Sequence, residues 1–91
     1  MDHEGGIIYV IPRSIMFDNR ISVLSKLVYS MITGYTRGSK KKCFATDEHF
    51  MKSLCISGST LQRQFRELEK FGLIKRKKDN DGRYITITWK T

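Results

Sequence analysis

Apolar residues recur at helical spacing in three places along this chain. Val23, Leu24, Leu27, Val28, Met31, Ile32 and Tyr35 mark i, i+1, i+4, i+5, i+8, i+9 and i+12. This broad stripe predicts a helix behind a Ser22 cap and makes it the core rod. Gly34 weakens its last turn. Phe50, Met51, Leu54 and Cys55 repeat at i, i+1, i+4 and i+5, which predicts a second helix of about two turns. Thr46 stands where it would cap that helix, and Asp47 and Glu48 follow in the first turn, favourable against the helix dipole. Leu61, Phe65 and Leu68 form the third stripe, behind a Ser57 cap, with Ser59, Arg63, Arg66 and Lys70 on the opposite face. Gly72 supplies the left-handed residue that ends this helix.

Elsewhere the period is that of strands. IIYVI at 7–11 is a short β-branched and aromatic run closed by Pro12. RSIMFDNR follows with the trio Ile15, Met16 and Phe17, for which a helical turn and an anchored loop are both open. Cys43, Phe44 and Ala45 suffice for one or two ladder bonds. After Gly72 come LIKRKK, DNDG and RYITITW. The last segment alternates strictly, with Ile85, Ile87 and Trp89 on one face and Tyr84, Thr86 and Thr88 on the other. DNDG at 79–82 reads as a hairpin loop, its glycine placed for a positive φ. Ile56, Ser57 and Gly58 form the tight link between the second and third helices. The order is strand, helix, short strand, helix, turn, helix, β-hairpin. That is an α+β winged helix-turn-helix: three helices, a small antiparallel sheet and a C-terminal hairpin wing. A flexible tail at 1–6 precedes a single domain at 7–91.

Charge changes the picture from fold to ligand. Net charge is +8, from 17 Lys and Arg against 9 Asp and Glu. This favours a polyanion, nucleic acid first and an anionic membrane surface second. On the third helix, Arg63 and Arg66 suit bidentate contact to guanine or pairing to phosphate, and Gln62 suits adenine. Ser59 and Thr60 suit phosphate, through hydroxyls and helix N-terminal amides. The competing readings are a Glu67 pairing with Arg63 and hydroxyls that merely support the cap. Lys75, Arg76, Lys77 and Lys78 alternate faces on a strand, so about half of them meet any one ligand. Lys40 to Lys42 have a flanking phosphate within reach, or no fixed contact.

Other chemistries are excluded by what is missing. Cys43, His49 and Cys55 match no zinc spacing and lack a fourth ligand; both cysteines read as small buried apolar residues. His3 and His49 have no partner at catalytic spacing, and no nucleophile elbow, phosphate loop or paired carboxylate occurs. The expectation is a binding protein with no cofactor and no metal, not an enzyme. No signal peptide and no membrane-length apolar run are present, so a cytoplasmic setting with reduced thiols is expected.

IPRSIMFDNRISVLSKLVYSMI and CFATDEHFMKSLCISGSTLQRQFRELEKFGLIKR also resemble the winged-helix domain at the N-terminus of phage and plasmid replication initiators and replisome organisers. More loosely, they are similar to bacterial winged-helix transcription regulators, with a serine-led third helix and a following Gly-Leu-Ile. The resemblance runs from about residue 9 to residue 89. It implies that Ser59, Thr60, Gln62, Arg63 and Arg66 meet bases or backbone and that Lys77, Lys78 and Arg83 meet phosphate from the wing. It also implies a role in replication or gene control of a mobile element.

Two other readings stay open. One is a winged-helix adaptor or inhibitor that holds a protein partner, such as a polymerase or helicase subunit, through Ile15, Met16, Phe17, Tyr84 and Trp89. The other is single-stranded rather than duplex DNA, with Tyr84 and Trp89 stacking bases. A homodimer through the first helix or the N-terminal strand fits the pattern, and nothing in the pattern specifies it.

Overall fold

In the computed structural model, residues 10–36 and 41–88 are described. They form α1 (Arg13–Met16), α2 (Val23–Thr36), α3 (Asp47–Leu54), α4 (Gly58–Lys70), β1 (Ile74–Asp79) and β2 (Gly82–Ile87). The three long helices and the hairpin stand where the apolar periods put them, but the buried side of α2 is turned from the expected stripe: Val23 and Leu27 are exposed, and Ser25 and Tyr29 are buried with Val28, Met31 and Ile32. α1 is an addition to the three expected. The Pro12 carbonyl accepts from Ile15 N (3.0 Å) and Met16 N (2.9 Å), which settles the apolar trio as one helical turn. The expected strand at 7–11 lies mostly outside the described residues. Its last two residues, Val10 and Ile11, are not in a strand. The Val10 backbone is held by the Thr33 hydroxyl instead, which accepts from its N–H (3.3 Å) and donates to its carbonyl (2.9 Å).

The helix ends follow local chemistry. Thr46 Oγ1 accepts from His49 N at 3.1 Å and Ser57 Oγ from Thr60 N at 3.3 Å, each satisfying an amide that the first turn leaves free. Gly72 takes φ +72° and Leu73 N reaches back to the Leu68 carbonyl at 2.9 Å, which turns the chain from α4 straight into β1. The link between α3 and α4 differs from expectation. Gly58 is already helical, and Cys55 makes the turn with φ +56°. α3 has ended by then, so Cys55 leaves its apolar stripe and is exposed rather than buried, whereas Cys43 is buried.

α4 is clamped from below. Leu61, Phe65 and Leu68 are fully buried, as are Val28 and Ile32 of α2 and Phe50 of α3. Phe50 meets Phe65 edge to face at a centroid distance of 5.6 Å, a favoured aromatic geometry. Each such side chain contributes about 1.5–3 kcal/mol of gross burial energy. β1 and β2 pair antiparallel with Ile74 opposite Ile87 and Arg76 opposite Ile85. Cys43 exchanges two 2.9 Å hydrogen bonds with Ile85; the expected short strand is therefore a single bridge. Ile85 is fully buried, so this bridge seats the hairpin on the helical core.

Phe65→Ala is expected to cost about 3–5 kcal/mol of unfolding free energy, as large aromatic truncations in a closed core do. Phe17→Ala removes a ring that is 75 % exposed and is expected to stay within about 0.5 kcal/mol. Urea denaturation of both variants checks the contrast.

Candidate nucleic-acid interface

Helical rotation sorts α4 into four faces. Leu61, Phe65 and Leu68 face the core, with Gln64 beside them. Ser59, Arg63, Arg66 and Lys70 stand exposed on the other side. Gln62 and Glu69 lie toward β1, whereas Thr60 and Glu67 lie toward the start of α2. The outward stripe is the expected one, and the two flanks decide what it carries.

On the β1 flank a chain of polar contacts joins three elements. Arg76 donates to both Glu69 oxygens, at 3.0 and 2.8 Å, and to Gln62 Oε1 at 2.8 Å. Gln62 passes the contact on, its amide nitrogen donating to Asp47 Oδ2 at 2.9 Å. Arg83 lies 2.9 Å from Asp47 Oδ1 as an ion pair and donates to the Ala45 carbonyl at 2.8 Å. Both guanidiniums also rest near the Phe65 ring, 5.0 Å away for Arg76 and 5.8 Å for Arg83. Wing, α4 and α3 are therefore tied by charge-assisted hydrogen bonds, the stronger kind.

This chain changes the standing of two expected contacts. Gln62 has both ends of its amide in use, and Arg83 has its guanidinium between Asp47 and Ala45. Both side chains thus serve contacts within the protein. Sequence reasoning took Arg76 only as one of a basic run and Asp47 only as a first-turn acid, and passed over Glu69; the contacts among them were not foreseen. A signal did exist: period-two alternation puts Arg76 and Arg83 on the inward face with Ile74 and Ile85.

On the α2 flank Glu67 turns away from Arg63. Its Oε1 accepts from Ser22 N (3.2 Å), Ser22 Oγ (3.0 Å) and Ser25 Oγ (2.5 Å), placing a carboxylate at the positive end of α2. Burial works to raise its pKa, but the hydrogen bonds from Ser25 and Ser22 prevail and hold it below the usual value. Among the described residues Arg63 reaches only Thr60 Oγ1, at 3.4 Å, and it lines a cleft with Ser22, Leu24, Thr60, Gln64 and Glu67. Thr60 takes part in the cap, its Oγ1 accepting from Ser57 Oγ at 3.0 Å, which leaves its own proton free to donate. Ser59 is exposed, with its hydroxyl 3.3 Å from that of Ser57.

Alternation puts Lys75 and Lys77 on one face of the hairpin and Arg76 and Lys78 on the other; Lys75, Lys77 and Lys78 are exposed, Lys78 at the hairpin end, while Arg76 is half-buried. Lys75 stands opposite Thr86 and Lys77 opposite Tyr84 on the outer face. Of the lysine loop, Lys40 lies outside the described residues. Lys42 pairs with Asp79 at 3.2 Å and covers the Tyr84 ring at 4.5 Å. Trp89 lies outside the described residues. No helix among them is long and apolar enough to cross a membrane.

A short helix, a tight turn and a second capped helix with an exposed basic stripe make up this part of the fold. A family profile described as a helix-turn-helix domain matches residues 19–74. The chain belongs to this helix-turn-helix family. No curated protein and no solved structure matches it. The match ends where β1 begins, and the hairpin beyond completes a winged helix-turn-helix. Membership of a helix-turn-helix family indicates DNA binding.

The lock on the wing of this helix-turn-helix is sensitive to acid. Hydrogen bonds from Arg76 hold the Glu69 carboxyl below the usual glutamate value. With a depressed folded pKa, the stabilisation is complete above the unfolded value, about 4.3, and is lost as pH falls through the folded one. Between the two values the unfolded chain binds more protons, so stability rises with pH. Glu69→Gln is expected to be less stable near neutrality and to lose this part of the acid slope. Urea midpoints followed from neutral pH down through the carboxylate range check it; parallel curves for variant and parent would contradict it.

Proposed function

We propose that this protein binds duplex DNA with α4 in the major groove and the wing lysines on the neighbouring backbone. We place it in replication initiation or gene control of a phage, plasmid or other mobile element, working in the cytoplasm and without catalysis. The biological setting follows from the resemblance of the chain to replication initiators. The docking mode rests on one observation. Both carboxylates of α4 are drawn off to its flanks, Glu67 to Ser22 and Ser25 and Glu69 to Arg76. The outward stripe keeps its positive charge, with Arg66 exposed and unpaired among the described residues. In this reading Ser59, Thr60, Arg63 and Arg66 serve on the helix and Lys75, Lys77 and Lys78 on the wing. Gln62 and Arg83 hold the frame.

One observation favours a second reading, a protein-holding adaptor. Phe17 is 75 % and Val23 73 % exposed, with Met16 and Leu27 at 44 % each, an unusual number of open apolar side chains for so small a chain. Ile15 does not belong to such a surface, being buried in the core. A stoichiometric complex with a replication protein that Phe17→Ser abolishes, together with no measurable duplex binding at physiological salt, would favour this reading.

The duplex reading is tested by fluorescence anisotropy across a salt series. Lys77→Ala is expected to reduce the magnitude of the log–log salt slope by about one, as one phosphate contact requires. Arg63→Ala with Lys77→Ala should weaken binding further. Arg83→Ala should lower stability and leave the slope in place. An unchanged affinity and slope in the double variant would refute the proposal.

A further inference from the structure

On the premise that α4 enters a major groove, its side chains determine which base edges it suits. Direct readout matches donors to acceptors. Adenine needs an amide that both donates and accepts, cytosine needs an acceptor, and guanine offers two acceptors, O6 and N7, side by side. α4 carries two amides and two carboxylates, and all four are engaged within the protein. Gln62 lies between Asp47 and Arg76. Gln64 is buried, donating to the Thr60 carbonyl at 2.9 Å, while its Oε1 shares the Ser25 and Ser22 hydroxyls, 2.9 and 3.0 Å away, with Glu67. Glu67 and Glu69 are held by the two serines and by Arg76. What remains outside is Ser59, Arg63, Arg66 and Lys70, a face of donors with one small hydroxyl.

We infer that α4 reads guanine, through Arg63 and Arg66, and reads neither adenine nor cytosine. Arg63 keeps its guanidinium apart from a 3.4 Å contact to Thr60, and Arg66 has all of its donors free among the described residues. Three residues of helix separate the two by about 4.5 Å along the axis. Base pairs rise by about 3.4 Å. The two guanines therefore fall at adjacent or next-but-one base pairs, on either strand. Lys70, a turn further on, is a point charge and suits phosphate.

The test is selection of the whole chain against a random duplex pool, followed by binding to the selected duplex with 7-deazaguanine at each enriched guanine. That base keeps its pairing and loses N7. The expected result is two enriched guanines within two base pairs of each other, with roughly a five- to hundredfold loss when either is replaced. Arg63→Lys and Arg66→Lys should each relax one position while keeping the salt slope. Gln62→Ala should leave the same bases enriched. An enriched adenine whose preference vanishes with Gln62→Ala would overturn the inference. Salt-dependent duplex binding without base preference would overturn it too, and would leave the duplex reading standing. No salt-dependent duplex binding at all would remove that reading along with the inference.

Discussion

A guanidinium withdrawn from water beside an aromatic ring must be met by acceptors, because an unpaired charge there is strongly destabilising. Arg76 meets three, two from Glu69 and one from Gln62, while its carbon centre lies 5.0 Å from the Phe65 ring. This cluster fixes the line of β1 along α4. The position of the wing follows from it, and so does the division of the basic residues into those that hold the structure and those that remain outside. The Cys43 and Ile85 bridge anchors the same hairpin from its other strand. The hairpin and α4 are thus joined by side-chain contacts as well as by the chain between them.

Charge segregation is the consequence that bears on function. Three acidic side chains on or beside α4 each have a partner on a flank: Asp47 with Arg83, Glu67 with the α2 serines and Glu69 with Arg76. None of them lies on the outward stripe. A net charge of +8 by itself says only that a polyanion is favoured. The placement of the carboxylates gives that excess a direction, because it leaves α4 with an outward face made of donors. Steering of a polyanion depends on such a field, and base selection depends on which donors form it.

What could be read in the sequence was what neighbours in the chain determine. The Ser57 and Thr46 caps, the left-handed Gly72, the buried stripe of Leu61, Phe65 and Leu68 and the alternation in β2 each depend on residues a few positions apart, and the periodicity carried them. α1 depends on the Pro12 carbonyl, which no spacing rule reports. Cys55 fits the apolar stripe of α3 by count, yet the helix stops one residue short of it and the residue turns outward. Gln62 and Arg83 resembled ligand contacts because their types suit one. Their partners, Asp47 and Arg76, stand 15 and 14 residues from Gln62, and Asp47 stands 36 from Arg83. Only the fold brings those groups together.

The arginines divide by role: Arg76 and Arg83 inside the frame, Arg63 and Arg66 outside it. Following the arginine Nε–H signals by NMR while a selected duplex is added tests that separation directly. The predicted result is that Arg63 and Arg66 shift and slow their exchange with water, while Arg76 and Arg83 are protected beforehand and hardly move. Shifts concentrated on Arg76 and Arg83, with Arg63 and Arg66 unaffected, would contradict the account.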